Sequence, residues 1–99
     1  MAKSKSKTKE MVNHLFRVAD LGCIACKKIG YDDTPACVHH IRDGQGMSQK
    51  SSHFETIPLC HHHHQGGHDA IHQSKATFER KFGTERELLA EVMEMLNVV

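Results

Sequence analysis

The apolar residues near both ends of the chain recur at helical spacing. Val12, Leu15 and Phe16 are separated by three residues and then one, which predicts a short amphipathic helix from Glu10 to Asp20. A second helix is predicted over residues 69–82, with Gly83 as the residue that ends it. Thr84 and Glu87 have the spacing of a capping box, so a final helix should follow.

That final helix is predicted to be amphipathic. The apolar stripe expected to face the core consists of Leu88, Leu89, Val92, Met95 and Leu96. The solvated face is expected to hold the acidic residues Glu85, Glu87, Glu91 and Glu94. Acidic residues in the first turn also suit the positive end of the helix dipole.

The middle of the chain contains shorter segments. Residues 34–41 are β-prone and flanked by turn formers, and Thr56 to Leu59 form a second short apolar segment. The polar, glycine-containing stretch between them, residues 42–53, is interpreted as a loop. Residues 1–10 alternate lysine with serine and threonine and are predicted to be a flexible basic tail, which leaves 11–99 as a single domain.

Composition limits the core that this domain can build. Only 21 of the 99 residues are Leu, Ile, Val or Phe, so another source of stability is expected. The formal net charge of +1 indicates no particular partner. No apolar run approaches the ~18 residues of a membrane span. The basic start is not followed by an apolar secretory segment, so we expect a cytoplasmic protein.

Cysteine and histidine are the unusual residues. The chain has ten His and four Cys, and twelve of these fourteen lie between Cys23 and His68. In an intracellular chain, such cysteines are better interpreted as metal ligands than as disulfides. Two closely spaced pairs match the requirement of tetrahedral zinc, and they are Cys23 with Cys26 and Cys60 with His63. Zinc binding contributes on the order of 10 kcal/mol to folding, which would offset the thin core.

The run of four histidines after Cys60 leaves several pairings open. If the run begins a helix, His64 shares a face with His68, four residues on, and His72 lies a further turn along. His61 and His64 are three apart and can form that pair instead. We expect His61 and His62 to be mostly exposed to solvent, or to contact the metal ligands without binding the metal themselves.

Another pair, His39 and His40, lies in the β-prone segment. Successive side chains of a strand point to opposite faces. Both rings can therefore face one site only if the strand twists or bulges there.

Taken together, these segments resemble the ββα-metal (HNH-type) nucleases. In more detail, they resemble the recombination-enhancement nucleases of temperate phages, which act with a RecA-type recombinase. The resemblance covers about residues 11–83. It rests on the Cys23/Cys26 knuckle, H-L-F-R-V-A-D-L-G-C at 14–23, V-H-H-I at 38–41, H-H-I-R at 39–42, I-P-L-C at 57–60, H-H at 63–64, A-I-H at 70–72 and F-E-R-K-F-G at 78–83.

The resemblance implies a fold and a mechanism. The fold would be α+β, a small zinc-stabilised ββα-metal (HNH) domain with flanking N- and C-terminal helices. His40 would act as the general base on an attacking water, since a neutral imidazole suits that task near pH 7. His39 and His64, with His72 along the same face, would hold one catalytic divalent cation: Mg²⁺, Mn²⁺ or Zn²⁺. That cation would stabilise the charge on the scissile phosphate and the departing 3′ oxygen.

One position departs from the pattern of the superfamily. Many of its members carry an asparagine where this chain has Glu55, so His53 is our candidate for the residue that assists the base. For Cys37 we expect a buried, inert thiol, with a second zinc site alongside His53 or His72 as the alternative. The basic residues of the central loop, Arg42 and Lys50, are the candidate nucleic-acid contacts.

The function predicted from the sequence is a metal-dependent DNA endonuclease of HNH type. It would act in phage or prophage recombination, with DNA and a RecA-type recombinase filament as partners and without a membrane. The alternative is a non-catalytic zinc module that binds nucleic acid or a protein. A histidine-rich metal carrier is a third interpretation, which the ordered spacing of the knuckles argues against.

Overall fold

A short antiparallel hairpin lies at the centre of the fold. The structure is a computed structural model that describes residues 8–41 and 54–97. In the hairpin, Cys37 lies opposite Leu59 and His40 opposite Thr56, in unbroken register. The elements run in the order α1 (Lys9–Asp20), α2 (Ile24–Lys28), β1 (Cys37–His40), β2 (Thr56–Leu59), a π-helical turn (His62–Gly66), α3 (Lys75–Phe82) and α4 (Glu85–Asn97). The described part is thus a small α+β fold, which confirms the predicted fold class.

The two strands differ in burial. All four residues of β2 are buried, because α1, α2 and α4 contact this strand. β1 is buried only at His39 and is exposed or half-buried elsewhere. The apolar sequence T-I-P-L and the more polar C-V-H-H match these environments. Pro58 is tolerated because β2 has one neighbouring strand and one side that needs no ladder hydrogen bond.

The flanking helices begin and end with local signals. Helix α1 is capped by Thr8, whose hydroxyl accepts from the Met11 amide. It confirms the predicted helix but begins at Lys9, so the tail predicted over residues 1–10 is wrong at residues 8–10, and its first seven residues lie outside the described part. Thr84 and Glu87 form the predicted capping box, with reciprocal bonds of 2.8 and 3.2 Å. Leu88 is fully buried in the core. None of the helices in the described ranges has both the length and the apolar character needed to cross a lipid bilayer.

The helix predicted over residues 69–82 is shorter than expected. It begins only at Lys75, after the N-cap Ser74, and residues 67–73 form turns and bends instead. Two backbone bonds explain the difference: the Ile71 amide donates to the His63 carbonyl at 2.9 Å, and the His72 amide donates to the His64 carbonyl at 3.1 Å. Each of these amides donates to a carbonyl eight residues earlier in the chain. It is therefore not available to donate to the carbonyl four residues earlier, as an α-helix requires.

The prediction for the acidic face of α4 is wrong at one residue. Glu85 is only 1 % exposed, whereas Glu87 and Glu94 are exposed and Glu91 is half-buried. Glu85 is the first residue of α4, at the point where the helix meets β1 and α3. Partners on both of those elements compensate for the burial of its carboxylate, and they are described below.

Gly22, which directly precedes the Cys23/Cys26 knuckle, is expected to tolerate substitution by alanine less well than Gly30. Its φ is +81°, and an added Cβ would lie 3.0 Å from the Asp32 carbonyl oxygen. Gly22→Ala should lower the free energy of unfolding by about 2–3 kcal/mol, from backbone strain and crowding together. Gly30→Ala is the control, because its φ is +102° but nothing lies within 4 Å of the added Cβ. Denaturant unfolding at fixed zinc concentration measures the free energy of unfolding of both variants. An equal loss in the two variants would contradict a contribution from crowding at Gly22.

Candidate metal centres

Three thiols and one imidazole meet at the end of the hairpin. Cys23 is the N-cap of α2 and its sulfur accepts from the Cys26 amide, so the two cysteines lie on one tight turn. Cys60 directly follows β2, and His63 lies on the π-helical turn. The structure brings these four predicted ligands together: all are buried, and their ligand atoms lie within 4.8 Å of one another. They form the thiolate group.

The spacing in the thiolate group fits a tetrahedral zinc ion. Bond lengths of ~2.3 Å to sulfur and ~2.0 Å to nitrogen imply edges of roughly 3.8 Å between sulfurs and roughly 3.5 Å from sulfur to nitrogen. The Sγ atoms of Cys26 and Cys60 are 3.8 Å apart. The distances from His63 Nδ1 to the sulfurs of Cys60, Cys26 and Cys23 are 3.3, 3.5 and 3.7 Å.

The electrostatics of the thiolate group also favour a bound cation. Burial raises the pKa of the Cys23 thiol to about 12, and burial also lowers the pKa of His63. Clustered thiols in such a site ionise only if a cation compensates for the lost hydration. Three sulfur donors with one imidazole are a donor set found in structural zinc sites.

Asp69 is buried next to the thiolate group. Its Oδ1 lies 3.4 Å from His62 Nε2, and its Oδ2 accepts a hydrogen bond from Lys81 Nζ at 2.9 Å. This hydrogen bond from Lys81 lowers the pKa of Asp69. Asp69 Oδ1 is buried without a hydrogen-bond partner among the described residues. Asp69, the exposed His62 and His63 thus form a third group that could hold a metal ion, and this group shares His63 with the thiolate group.

A second group consists of three imidazoles. His39 comes from β1, His64 from the π-helical turn and His72 from the turns before α3. His64 Nε2 lies 3.1 Å from His39 Nδ1 and 3.1 Å from His72 Nε2. His39 is buried, His64 half-buried and His72 exposed, so this imidazole group is open to solvent on one side.

The imidazole group is suited to hold a cation. Burial, followed by the neighbouring rings of His39 and His72, lowers the pKa of His64 to about 4. The ring is therefore neutral near pH 7 and offers a nitrogen lone pair. Three nitrogens from separate elements converge, and imidazole is a ligand for zinc and other transition metals. An open side is typical of catalytic sites, where a water or substrate completes the coordination.

Glu85 is the functional residue that the sequence did not reveal. Its Oε2 lies 2.7 Å from His39 Nε2, and both side chains are almost completely buried. Its Oε1 lies 3.7 Å from Lys75 Nζ. A carboxylate at this nitrogen holds the proton of His39 on Nε2 and leaves the Nδ1 lone pair directed at the imidazole group. The only sequence signal was the capping box, which places Glu85 at the helix start without indicating its partner.

The prediction that Cys37 is buried is wrong. The residue is exposed, and its Sγ lies 3.4 Å from the Leu59 carbonyl oxygen and 3.6 Å from His64 Nδ1. Cys37 and His39 are two residues apart on β1 and share a face, and Cys37 lies at the outer end of that face. Among the described residues, Cys37 is not a member of a metal-binding group.

His40 lies on the other face of β1. The unbroken register excludes a bulge at this point, so the side chains of His39 and His40 leave the strand in opposite directions. His40 is half-buried, makes contacts of its own and is not a member of the imidazole group. His61 and His68 are exposed, and neither joins a group in the described part.

The remaining predicted site residues cannot be placed. His53, Arg42 and Lys50 lie outside the described residues. The predicted pairing of His64 with His72 is realised, but through the two backbone bonds of the turn segment and not along one continuous helix.

Comparison with known proteins identifies the family. A search among curated proteins found no match. The family model described as "Recombination enhancement, RecA-dependent nuclease" matches residues 6–97, nearly the whole chain. The closer of the two resemblances seen in the sequence is thereby confirmed at the level of the family. The chain belongs to the family of recombination-enhancement, RecA-dependent nucleases.

Proposed function

We propose that the protein is a metal-dependent DNA endonuclease of HNH type that acts in recombination on DNA held by a RecA-type filament. The observation that carries this proposal is the imidazole group, with His64 Nε2 at 3.1 Å from a nitrogen of each neighbouring ring. The family supplies the nuclease role. The hairpin followed by a helical turn supplies the order of elements expected of a ββα-metal domain.

The thiolate group is proposed as a structural zinc site. Its ligands come from α2, from the end of β2 and from the π-helical turn, so zinc would join these elements. The turn carries both His63 of the thiolate group and His64 of the imidazole group. The structural ion would therefore also hold a catalytic ligand in place.

The imidazole group is proposed as the catalytic centre. A divalent cation held by His39, His64 and His72 would stabilise negative charge on the phosphate and on the departing oxygen. In the reaction, a bond forms between the water oxygen and phosphorus, and the bond from phosphorus to the 3′ oxygen breaks. The departing 3′ oxygen takes a proton from solvent, so the products are a 5′ phosphate and a 3′ hydroxyl.

His40 is proposed as the general base that accepts the proton of the water. An in-line displacement puts the attacking and leaving oxygens on opposite sides of phosphorus. Adjacent strand positions direct His39 and His40 to opposite sides of β1. A phosphate at the end of the strand would then have the metal ligands on one side and the base on the other. His53 stays a proposal for the residue that assists His40, and Arg42 and Lys50 stay proposed DNA contacts.

The proposed structural zinc site predicts that zinc binding and thermal stability depend on Cys60 and not on Cys37. Cys60→Ser should reduce the zinc content of the purified protein by one equivalent and lower the thermal midpoint, since structural zinc contributes on the order of 10 kcal/mol. Cys37→Ser is the matched control, because Cys37 is exposed and outside the thiolate group. Elemental analysis and thermal unfolding measure the two effects. Equal zinc content in both variants would contradict the assignment.

The nuclease proposal predicts that removing the general base and removing a metal ligand have different effects on metal binding. With a RecA-type filament and Mg²⁺ or Mn²⁺, His40→Ala should lose at least ~100-fold in cleavage rate, the lower range for a general base. His40→Ala should keep its bound metals, whereas His64→Ala should lose both cleavage and one cation. His68→Ala, an exposed histidine outside the groups, should cut normally.

Two outcomes would contradict this proposal. Wild-type protein that never cuts, with the filament or alone, would favour the non-catalytic zinc module. Full cleavage by His40→Ala would remove His40 from the mechanism.

The contact between Glu85 and His39 predicts a change in metal affinity. Glu85→Ala should weaken cation binding at the imidazole group by about 10–100-fold, the range found when such supporting partners are removed. Glu91→Ala is the control, since Glu91 is on the same helix and pairs with Lys28. Titration with Zn²⁺ or Mn²⁺ followed by calorimetry measures the affinities. Equal affinity in the two variants would show that Glu85 does not orient His39.

A further inference from the structure

A small cavity adjoins the imidazole group, and we propose that it is a phosphate subsite in which Lys75 contacts the scissile phosphodiester. The cavity has a volume of about 250 Å³ and is lined by His39, Ile71, His72, Lys75 and Glu85. This inference rests on the proposed nuclease function and adds to it a catalytic residue that the sequence did not suggest.

The Lys75 ammonium is weakly engaged within the described part of the chain. Its Nζ lies 3.7 Å from Glu85 Oε1 and 4.0 Å from Glu79 Oε2, and both separations are too long for hydrogen bonds. Lys81 and Lys28, by contrast, donate to carboxylates at 2.9 and 3.0 Å. Lys75 is therefore held near the cavity by charge, while its N–H donors remain suited to a ligand.

The size of the cavity restricts what it accepts. Sites for drug-sized ligands have volumes of roughly 300–1,000 Å³, and this cavity lies just below that range. A phosphodiester group with part of its sugars fits this volume better than a complete nucleotide. Ile71 in the lining is buried, whereas the metal ligand His72 is exposed, so the cavity is accessible to a phosphate at a residue of the imidazole group.

The charges around the cavity favour an anion. A divalent cation at the imidazole group and the Lys75 ammonium would carry three positive charges, against two negative charges on Glu85 and on Glu79, which is 4.0 Å from Lys75 Nζ. A phosphodiester brings one negative charge, and further charge develops on its oxygens as the water attacks. Lys75 would donate a hydrogen bond to a non-bridging oxygen and keep its own proton. The proton of the water goes to His40, as proposed above.

The experiment compares three lysine variants of the full chain. Single-turnover cleavage of DNA on a RecA-type filament should fall by about 100–1,000-fold in Lys75→Met, the effect of removing one such donor. Lys75→Arg, which keeps the charge, should recover most of the rate. Lys28→Met is the matched control, because it removes the same charge from a surface ion pair with Glu91, and it should cut within twofold of wild type. All three should retain their bound metals.

A second measurement does not depend on cleavage. Calorimetric titration of the metal-loaded protein with inorganic phosphate should show binding at least tenfold weaker in Lys75→Met than in Lys28→Met. Wild-type cleavage rates or unchanged phosphate affinity in Lys75→Met would overturn the subsite. Loss of the catalytic cation from Lys75→Met would also overturn it, because Lys75 would then act only through Glu85.

The two proposals fail in different ways. If wild-type protein does not cut DNA, the nuclease proposal fails, and phosphate binding still decides whether the subsite exists. If wild-type protein cuts and Lys75→Met cuts equally well, only the subsite is rejected. Should Lys75→Met not fold, Lys75→Gln repeats both measurements with a neutral polar side chain.

Discussion

Two neighbouring histidines on one turn connect the thiolate group and the imidazole group. His63 reaches the thiolate group through Nδ1, and His64 reaches the imidazole group through Nε2. The π-helical turn between β2 and the following segment directs these consecutive side chains to different groups. A shift of this turn would move a ligand in both groups at once, so the geometry of the imidazole group depends on the anchoring of the thiolate group.

A buried carboxylate lies next to each group. Glu85 is 2.7 Å from His39 of the imidazole group, and Asp69 is 3.4 Å from His62, the neighbour of His63 in the chain. Each carboxylate is in turn paired with a lysine of α3, at opposite ends of that helix: Lys75 pairs with Glu85 and Lys81 with Asp69. Helix α3 therefore compensates for the charge of both buried carboxylates. This eight-residue helix, which also buries Phe78 and Phe82 in the hydrophobic core, thus places a lysine beside each of these carboxylates.

Local sequence predicted those parts of the structure that local interactions determine. Helix α1, strand β2 and the capping box of α4 were predictable because periodicity and capping act over a few residues. The thiolate group was predictable because its ligands come as two short-spaced pairs. Residues 67–73 were not, since their amides bond to carbonyls eight residues away. Glu85 was missed for a similar reason: its partner His39 is 46 positions away in the chain.

The difference in exposure between the groups has a consequence for how each would exchange its ion. All four side chains of the thiolate group are buried, whereas His72 of the imidazole group is exposed. An ion among the thiolates can leave only when the surrounding elements open, which links its release to unfolding. An ion at the imidazoles would be accessible from solvent and would equilibrate with the free metals around the protein. Under the proposed function, the metal that serves catalysis would then be determined by the metals available to the protein, whereas the proposed structural ion would be acquired once, during folding.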